Sequence, residues 1–181
     1  MPNYIRPKIA GASWFFTVNV IDRRSRILTD CIAALRCATA KVKHRHPFTI
    51  DAMVVLPDHL HAVWTLPVDD TDFSMRWRLI KSHFSRAMPD FDRRSRSRIA
   101  RRERGIWQRR FWEHAIRDET DYQRHVAYCY LNPVRHGWVR RVRDWPYSSF
   151  HRDVRAGLLP VDWGDVVDDA GGDFGERSRV L

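Results

Sequence analysis

The sequence has no apolar run approaching the roughly 20 residues needed to span a bilayer, and Met1–Ala10 lacks the apolar core of a secretory signal. A membrane-spanning chain is therefore not expected, and a cytoplasmic one is. Cysteine is scarce. Cys31, Cys37 and Cys129 are odd in number and form no CxxC pair, so reduced, buried thiols are expected rather than a disulfide framework. No internal repeat is present. Acidic charge is thin over most of the chain: residues 1–160 hold thirty basic and sixteen acidic side chains, a net of +14, while 161–181 carry a net of −4. A body of that sign attracts polyanions, with affinity that falls as salt rises.

Hydrophobic residues make up 44% of the 181 positions and eight are tryptophan, enough for a packed core in one domain. A single domain is expected to span 1–160, followed by an acidic tail over 161–181. Trp14–Ile21 is rich in β-branched and aromatic residues and reads as a strand. Ile32, Leu35, Thr39 and Val42 recur at helical spacing between Thr29 and Lys43. Phe48–Leu56 and His61–Leu66 read as strands joined by a turn at Pro57-Asp58, a helix follows over Phe73–Met88, Trp112–Arg117 makes a fourth strand, and Asp121–Leu131 makes a last helix. The fold class predicted from this order is α+β: a ferredoxin-like split βαβ antiparallel sheet with two helices on one face and an additional C-terminal helix. Arg93–Arg104, with seven arginines and one acid in twelve residues, interrupts the order and reads as a basic flexible insertion.

Two constellations carry chemistry. Residues i and i+2 of a strand point to one side, so the imidazoles of His59 and His61 can face one metal while Leu60 points into the core. An HxH triplet arises readily by chance, and a satisfied surface pair is an equal alternative. His44-Arg-His46 has the same spacing in a helix-ending loop and reads as structural or DNA-facing. The second constellation lies on the last helix, whose start Thr120-x-x-Gln123 marks as a capping box. Tyr128 and Asn132 are one turn apart, within roughly 6 Å at Cβ, and Pro133 is expected to end the helix just beyond them. An amide oxygen from Asn132 could complete a two-nitrogen, one-oxygen site. Tyr130 lies about 200° around the helix from Tyr128 and faces away from Asn132.

The runs Trp14-Phe-Phe-Thr-Val-Asn19, Val54-Val-Leu-Pro-Asp-His-Leu-His61, Ile106-Trp-Gln-Arg-Arg-Phe-Trp-Glu-His114 and Tyr128-Cys-Tyr-Leu-Asn-Pro-Val-Arg-His-Gly137 resemble the REP-associated tyrosine transposases, relatives of the single-tyrosine HUH transposases of insertion sequences. The resemblance covers about Tyr4 to Trp163. It implies that His59 and His61 are the metal-binding HUH pair, that Asn132 assists them, and that Tyr128 is the nucleophile. The implied cofactor is Mg²⁺ or Mn²⁺, and the implied activity is cleavage and rejoining of single-stranded DNA through a 5′-phosphotyrosine. The implied partners are REP-type palindromic hairpins. Phosphate contacts are expected from Arg78, Lys81, Arg109 and Arg135. A monomer is expected, with a dimer as the alternative, and a hairpin-binding regulator that does not cleave is the rival function.

Overall fold

The computed structural model describes residues 8–89 and 104–165. Four strands, β1 (Ser13–Asn19), β2 (Thr49–Val55), β3 (His59–Thr65) and β4 (Trp112–Ala115), form one antiparallel sheet in the order β2-β3-β1-β4. This is the split βαβ arrangement that the order of elements predicts. The sequence of β1 explains how the sheet takes two layers of helix. Trp14, Phe16 and Val18 alternate with Phe15 and Thr17, and all five are buried.

The first set joins Leu60, Ala62 and Trp64 under the helices α2 (Ile32–Arg45) and α3 (Phe73–Ala87). Phe15 joins Ala52, Val54 and Val63 under α4 (Glu119–Arg135) on the opposite face. Each of these large apolar side chains contributes roughly 1.5–3 kcal/mol on burial, so the strand is anchored from both sides and its register is fixed. That register sets Thr17 directly opposite His61, and His61 in turn opposite Val54.

The edge strand β2 is capped by the chain after α4. Val54 bridges Ser148, Val55 donates its N–H to the Tyr147 carbonyl at 2.9 Å, and Ser149 donates to the Met53 carbonyl at 2.8 Å. A short helix α5 (Phe150–Arg155) follows. Packing continues past residue 160: Trp163 lies 6.0 Å from the Tyr130 ring and 6.1 Å from Phe150, centroid to centroid.

Three local expectations are corrected. The first predicted helix is two pieces, α1 (Ile27–Asp30) and α2, with Cys31 between them at φ −110° and ψ 33°. The N-cap of α4 is Asp118, whose carboxylate accepts from the Asp121 N–H at 2.8 Å, so Thr120-x-x-Gln123 is not a capping box; Gln123 instead donates to Glu119 at 2.9 Å. Nor does Pro133 end α4. The helix runs to Arg135, because the missing proline N–H forfeits only one bond while Cys129, Tyr130, Leu131 and Asn132 bury its inner face and the His136 N–H returns to the Asn132 carbonyl at 3.0 Å.

Of the three cysteines only Cys129 is buried; Cys31 is half-buried and Cys37 exposed, since the core-facing stripe of α2 passes through Leu35, Ala38 and Val42 instead. The Arg93–Arg104 stretch lies outside the described residues except for Arg104, and the predicted tail lies outside them after residue 165.

Candidate active site

His59 opens β3, and His61 follows on the same side of the strand. Both are buried, and their rings stand edge to face at 5.0 Å. Leu60 between them is fully buried in the opposite core, as alternation predicts. Each imidazole is held through Nδ1. That of His59 bonds Asp58 Oδ1 at 2.7 Å, and that of His61 bonds Thr17 Oγ1 at 3.0 Å. With Nδ1 engaged, Nε2 is the atom of each ring that can offer a lone pair to a metal.

Asp58 is 3% exposed and pairs through Oδ2 with Arg23 Nε at 3.1 Å. Burial opposes its ionisation, but the bond from His59 and the Arg23 charge outweigh it and hold the carboxyl below its usual range. Arg23 also donates to Asn19 Oδ1. The site therefore has a charged anchor one residue ahead of the first histidine.

Helix α4 packs on β2 and β3 and brings Tyr128 to this pair. The Tyr128 ring stands edge to face with His61 at 5.1 Å and with Phe15 at 5.8 Å, and Phe15 stacks on His61 at 5.5 Å. Asn132, one turn on, is 1% exposed. Arg135, two turns from Tyr128, lays its guanidinium over the Tyr128 ring at 5.4 Å. Thus His59, His61 and Tyr128 converge, with Arg135 beside the tyrosine. The donor set fits a divalent ion: two imidazoles each oriented through Nδ1 by a partner, and an amide oxygen on the same face of α4 as the tyrosine.

Tyr130 has different surroundings. It is fully buried on the far side of α4, where its hydroxyl donates to Asp153 and contacts Ser149 Oγ at 3.2 Å. Burial, and next the Asp153 carboxylate, push its phenol well above the ordinary tyrosine range. Tyr122 is likewise pushed up to about 12, by burial first. In His44-x-His46 the His46 carbonyl accepts from the buried Arg76 at 3.2 Å, and the His44 side chain is exposed.

The other predicted DNA contacts lie elsewhere. Arg78, Lys81 and Arg109 line one groove of about 890 Å³ between α3 and residues 104–111, together with Arg86, Arg104 and Trp107. Lys81 donates to the Gln108 carbonyl at 3.1 Å and lies 5.1 Å from the Phe111 ring centroid and 5.8 Å from that of Trp107. Because α3 covers the sheet face opposite α4, the groove and Tyr128 are separated by the sheet.

Sequence reasoning missed Asp58, Thr17 and His136, whose ring lies 5.3 Å from that of His59. Asp58 was legible only as a turn residue. Thr17 is assigned by the β1–β3 register, which no local motif encodes.

No family model matches the chain. It is 52% identical over 174 residues to the REP-associated tyrosine transposase of Escherichia coli K12, covering 96% of this chain and 98% of that one. It is 46% identical over 169 residues to a Haemophilus influenzae protein named for the same family, covering 93% and 96%. A solved structure of a REP-associated tyrosine transposase bound to a REP hairpin superposes with a TM-score of 0.79 at 52% identity, covering 96% of this chain and 98% of that one.

Proposed function

The chain belongs to the REP-associated tyrosine transposases, and from that premise we propose that it cuts and rejoins single-stranded DNA at REP-type palindromic hairpins, with Tyr128 as nucleophile and His59, His61 and Asn132 as metal ligands. The observation that carries this reading is the meeting of the Tyr128 and His61 rings at 5.1 Å, across a strand and a helix that are far apart in sequence. The similarity of the whole chain to a relative solved with a REP hairpin supports the substrate class.

In this mechanism Tyr128 loses its phenolic proton and its oxygen attacks the scissile phosphorus. The bond to the 3′ oxygen breaks, that oxygen takes up a proton, and the DNA 5′ phosphate is left on Tyr128. Attack by another 3′-hydroxyl reverses the exchange without an external energy source, since one phosphodiester replaces another. Mg²⁺ or Mn²⁺ bound at the histidines would supply charge withdrawal from the phosphate. Asp58 and Thr17 hold the two imidazoles in place for this, and Arg135 sets a cation beside the attacking tyrosine.

The groove of Arg78, Lys81 and Arg109 tracks phosphates, with Trp107 and Phe111 at its wall. Arg104, at the end of the basic Arg93–Arg104 stretch, lines the same groove, which makes that stretch a candidate clamp on the backbone. Among the described residues no helix is long and apolar enough to cross a membrane. The protein acts as a monomer in the cytoplasm in this reading.

The test is incubation with a single-stranded REP hairpin and Mg²⁺ or Mn²⁺, followed by denaturing electrophoresis. A protein–DNA adduct is expected, lost in Tyr128→Phe while hairpin binding persists. Hairpin binding with no adduct under either metal would replace this reading with that of a non-cleaving regulator.

A further inference from the structure

Away from the His59–His61 pair, His114 of β4 meets Asp121 and His125, which lie one turn apart on α4. We propose that these three side chains form a second metal site, for a divalent ion of the Zn²⁺ class, that ties the edge strand β4 to the start of the nucleophile helix.

The donor atoms already stand near ligand separations. His114 Nε2 is 2.8 Å from Asp121 Oδ2, and His125 Nδ1 is 3.2 Å from Asp121 Oδ1. The donor atoms of all three residues fall within 4.8 Å of one another. Donors held at about 2.0–2.2 Å from one tetrahedral ion are roughly 3.3 Å apart, so small side-chain rotations bring the set onto a common centre. The two imidazoles are stacked at 4.7 Å and 18°, and their nitrogens flank one carboxylate. Two imidazoles and a carboxylate suit Zn²⁺ or Co²⁺ better than the all-oxygen surroundings Mg²⁺ prefers.

An ion would compete with several existing contacts. Asp121 Oδ2 also accepts from the Arg117 backbone N–H at 3.0 Å and from Arg117 Nε at 3.2 Å. The Arg117 side chain is 73% exposed, so releasing its guanidinium costs little. His125 Nδ1 donates to the Asp121 carbonyl at 2.7 Å, a bond that metal binding would replace. The proton now shared by His114 and Asp121 is the one the ion displaces. His114, 26% exposed, supplies the way in, whereas Asp121 and His125 are nearly closed off.

The consequence for the reaction is mechanical. His125 precedes Tyr128 by three residues on one helix face, and Phe15 packs against both, at 4.7 Å and 5.8 Å. An ion here fixes the start of α4 relative to β4 without touching the reacting atoms. The inference does not depend on the proposed cleavage chemistry.

The experiment removes the first site and asks whether a second remains. His59→Ala/His61→Ala protein, stripped with EDTA, is titrated with Co²⁺ by calorimetry and visible absorption in excess Mg²⁺. One equivalent is expected to bind, with nitrogen and oxygen ligand bands, no thiolate charge-transfer band, and a raised Tm. Adding His114→Ala, at a side chain exposed enough to leave the fold intact, is expected to weaken binding at least about tenfold; His125→Gln serves as the second variant. Absence of Co²⁺ binding in the double variant overturns the proposal. So does binding that survives both added substitutions, or a thiolate band tracing the ion to Cys31 or Cys37.

Discussion

Replacing Asp58 by Asn keeps the shape beside His59 but removes the charge, together with the acceptor that Oδ2 offers Arg23. In the structure Asp58 Oδ1 accepts from His59 Nδ1 at 2.7 Å in a buried setting. A hydrogen bond to a charged partner is worth about 1.5–3 kcal/mol and a neutral one about 1 kcal/mol. The amide oxygen retains the weaker bond, so the loss is about 1–2 kcal/mol of support for the imidazole, or roughly 5- to 30-fold in metal affinity. The range agrees with the 10- to 100-fold losses typical when a partner behind a metal-binding histidine is changed.

The assay is the Mn²⁺ concentration that gives half-maximal Tyr128–DNA adduct with a REP hairpin, alongside a thermal melt to establish folding. Half-saturation is expected to rise about tenfold, while the rate at saturating Mn²⁺ stays close to wild type. A folded Asp58→Asn protein with unchanged half-saturation would refute the reasoning. So would a fall in the saturating rate alone, because it would assign Asp58 to the chemical step instead of to the ligand.

Tyr130→Phe is expected to leave adduct formation intact and to lower stability by about 1–3 kcal/mol, because the buried Asp153 loses its hydroxyl donor; urea melts and the adduct gel separate the two effects. Asp70→Asn leaves the fully buried Arg76 guanidinium with one neutral amide oxygen and backbone carbonyls in place of a carboxylate, and about 2 kcal/mol is expected to be lost at neutral pH, since one charged bond becomes neutral and a second is lost. The Arg76 hydrogen bond holds the Asp70 carboxyl below its ordinary 3.8, so this stability is complete above pH 3.8 and drains away as pH falls through the lower folded value. Acid melts of wild type should show that loss, and those of Asp70→Asn should show less of it. Arg78→Ala/Arg109→Ala is expected to weaken hairpin binding and to flatten the plot of log affinity against log salt by about 1.4 if both side chains contact single-stranded phosphates. An unchanged slope would remove the groove from the DNA path.

Much of this site was legible because its periodicities are short. Leu60 is buried opposite the histidines since alternation in a strand is a local rule, and Tyr128 and Asn132 share a face since helical spacing is another. What failed were ends and partners. Asp118 lies outside the span first read as helix, and it outcompetes Thr120 as the cap because its carboxylate reaches the Asp121 N–H. Pro133 reads as a terminator, yet the cost of one absent hydrogen bond is outweighed by a helix face packed on β2 and β3, a gain that only tertiary structure supplies. Thr17 belongs to the site because β1 pairs with β3 in one register and no other; a slip of one residue would turn Thr17 away and set an apolar side chain against His61. Phe15 and Phe16, locked into opposite cores, are what forbid that slip. The geometry of the proposed metal ligands is therefore a consequence of core packing on both faces of β1, and a substitution that loosens either core should disturb His61 before it unfolds the sheet.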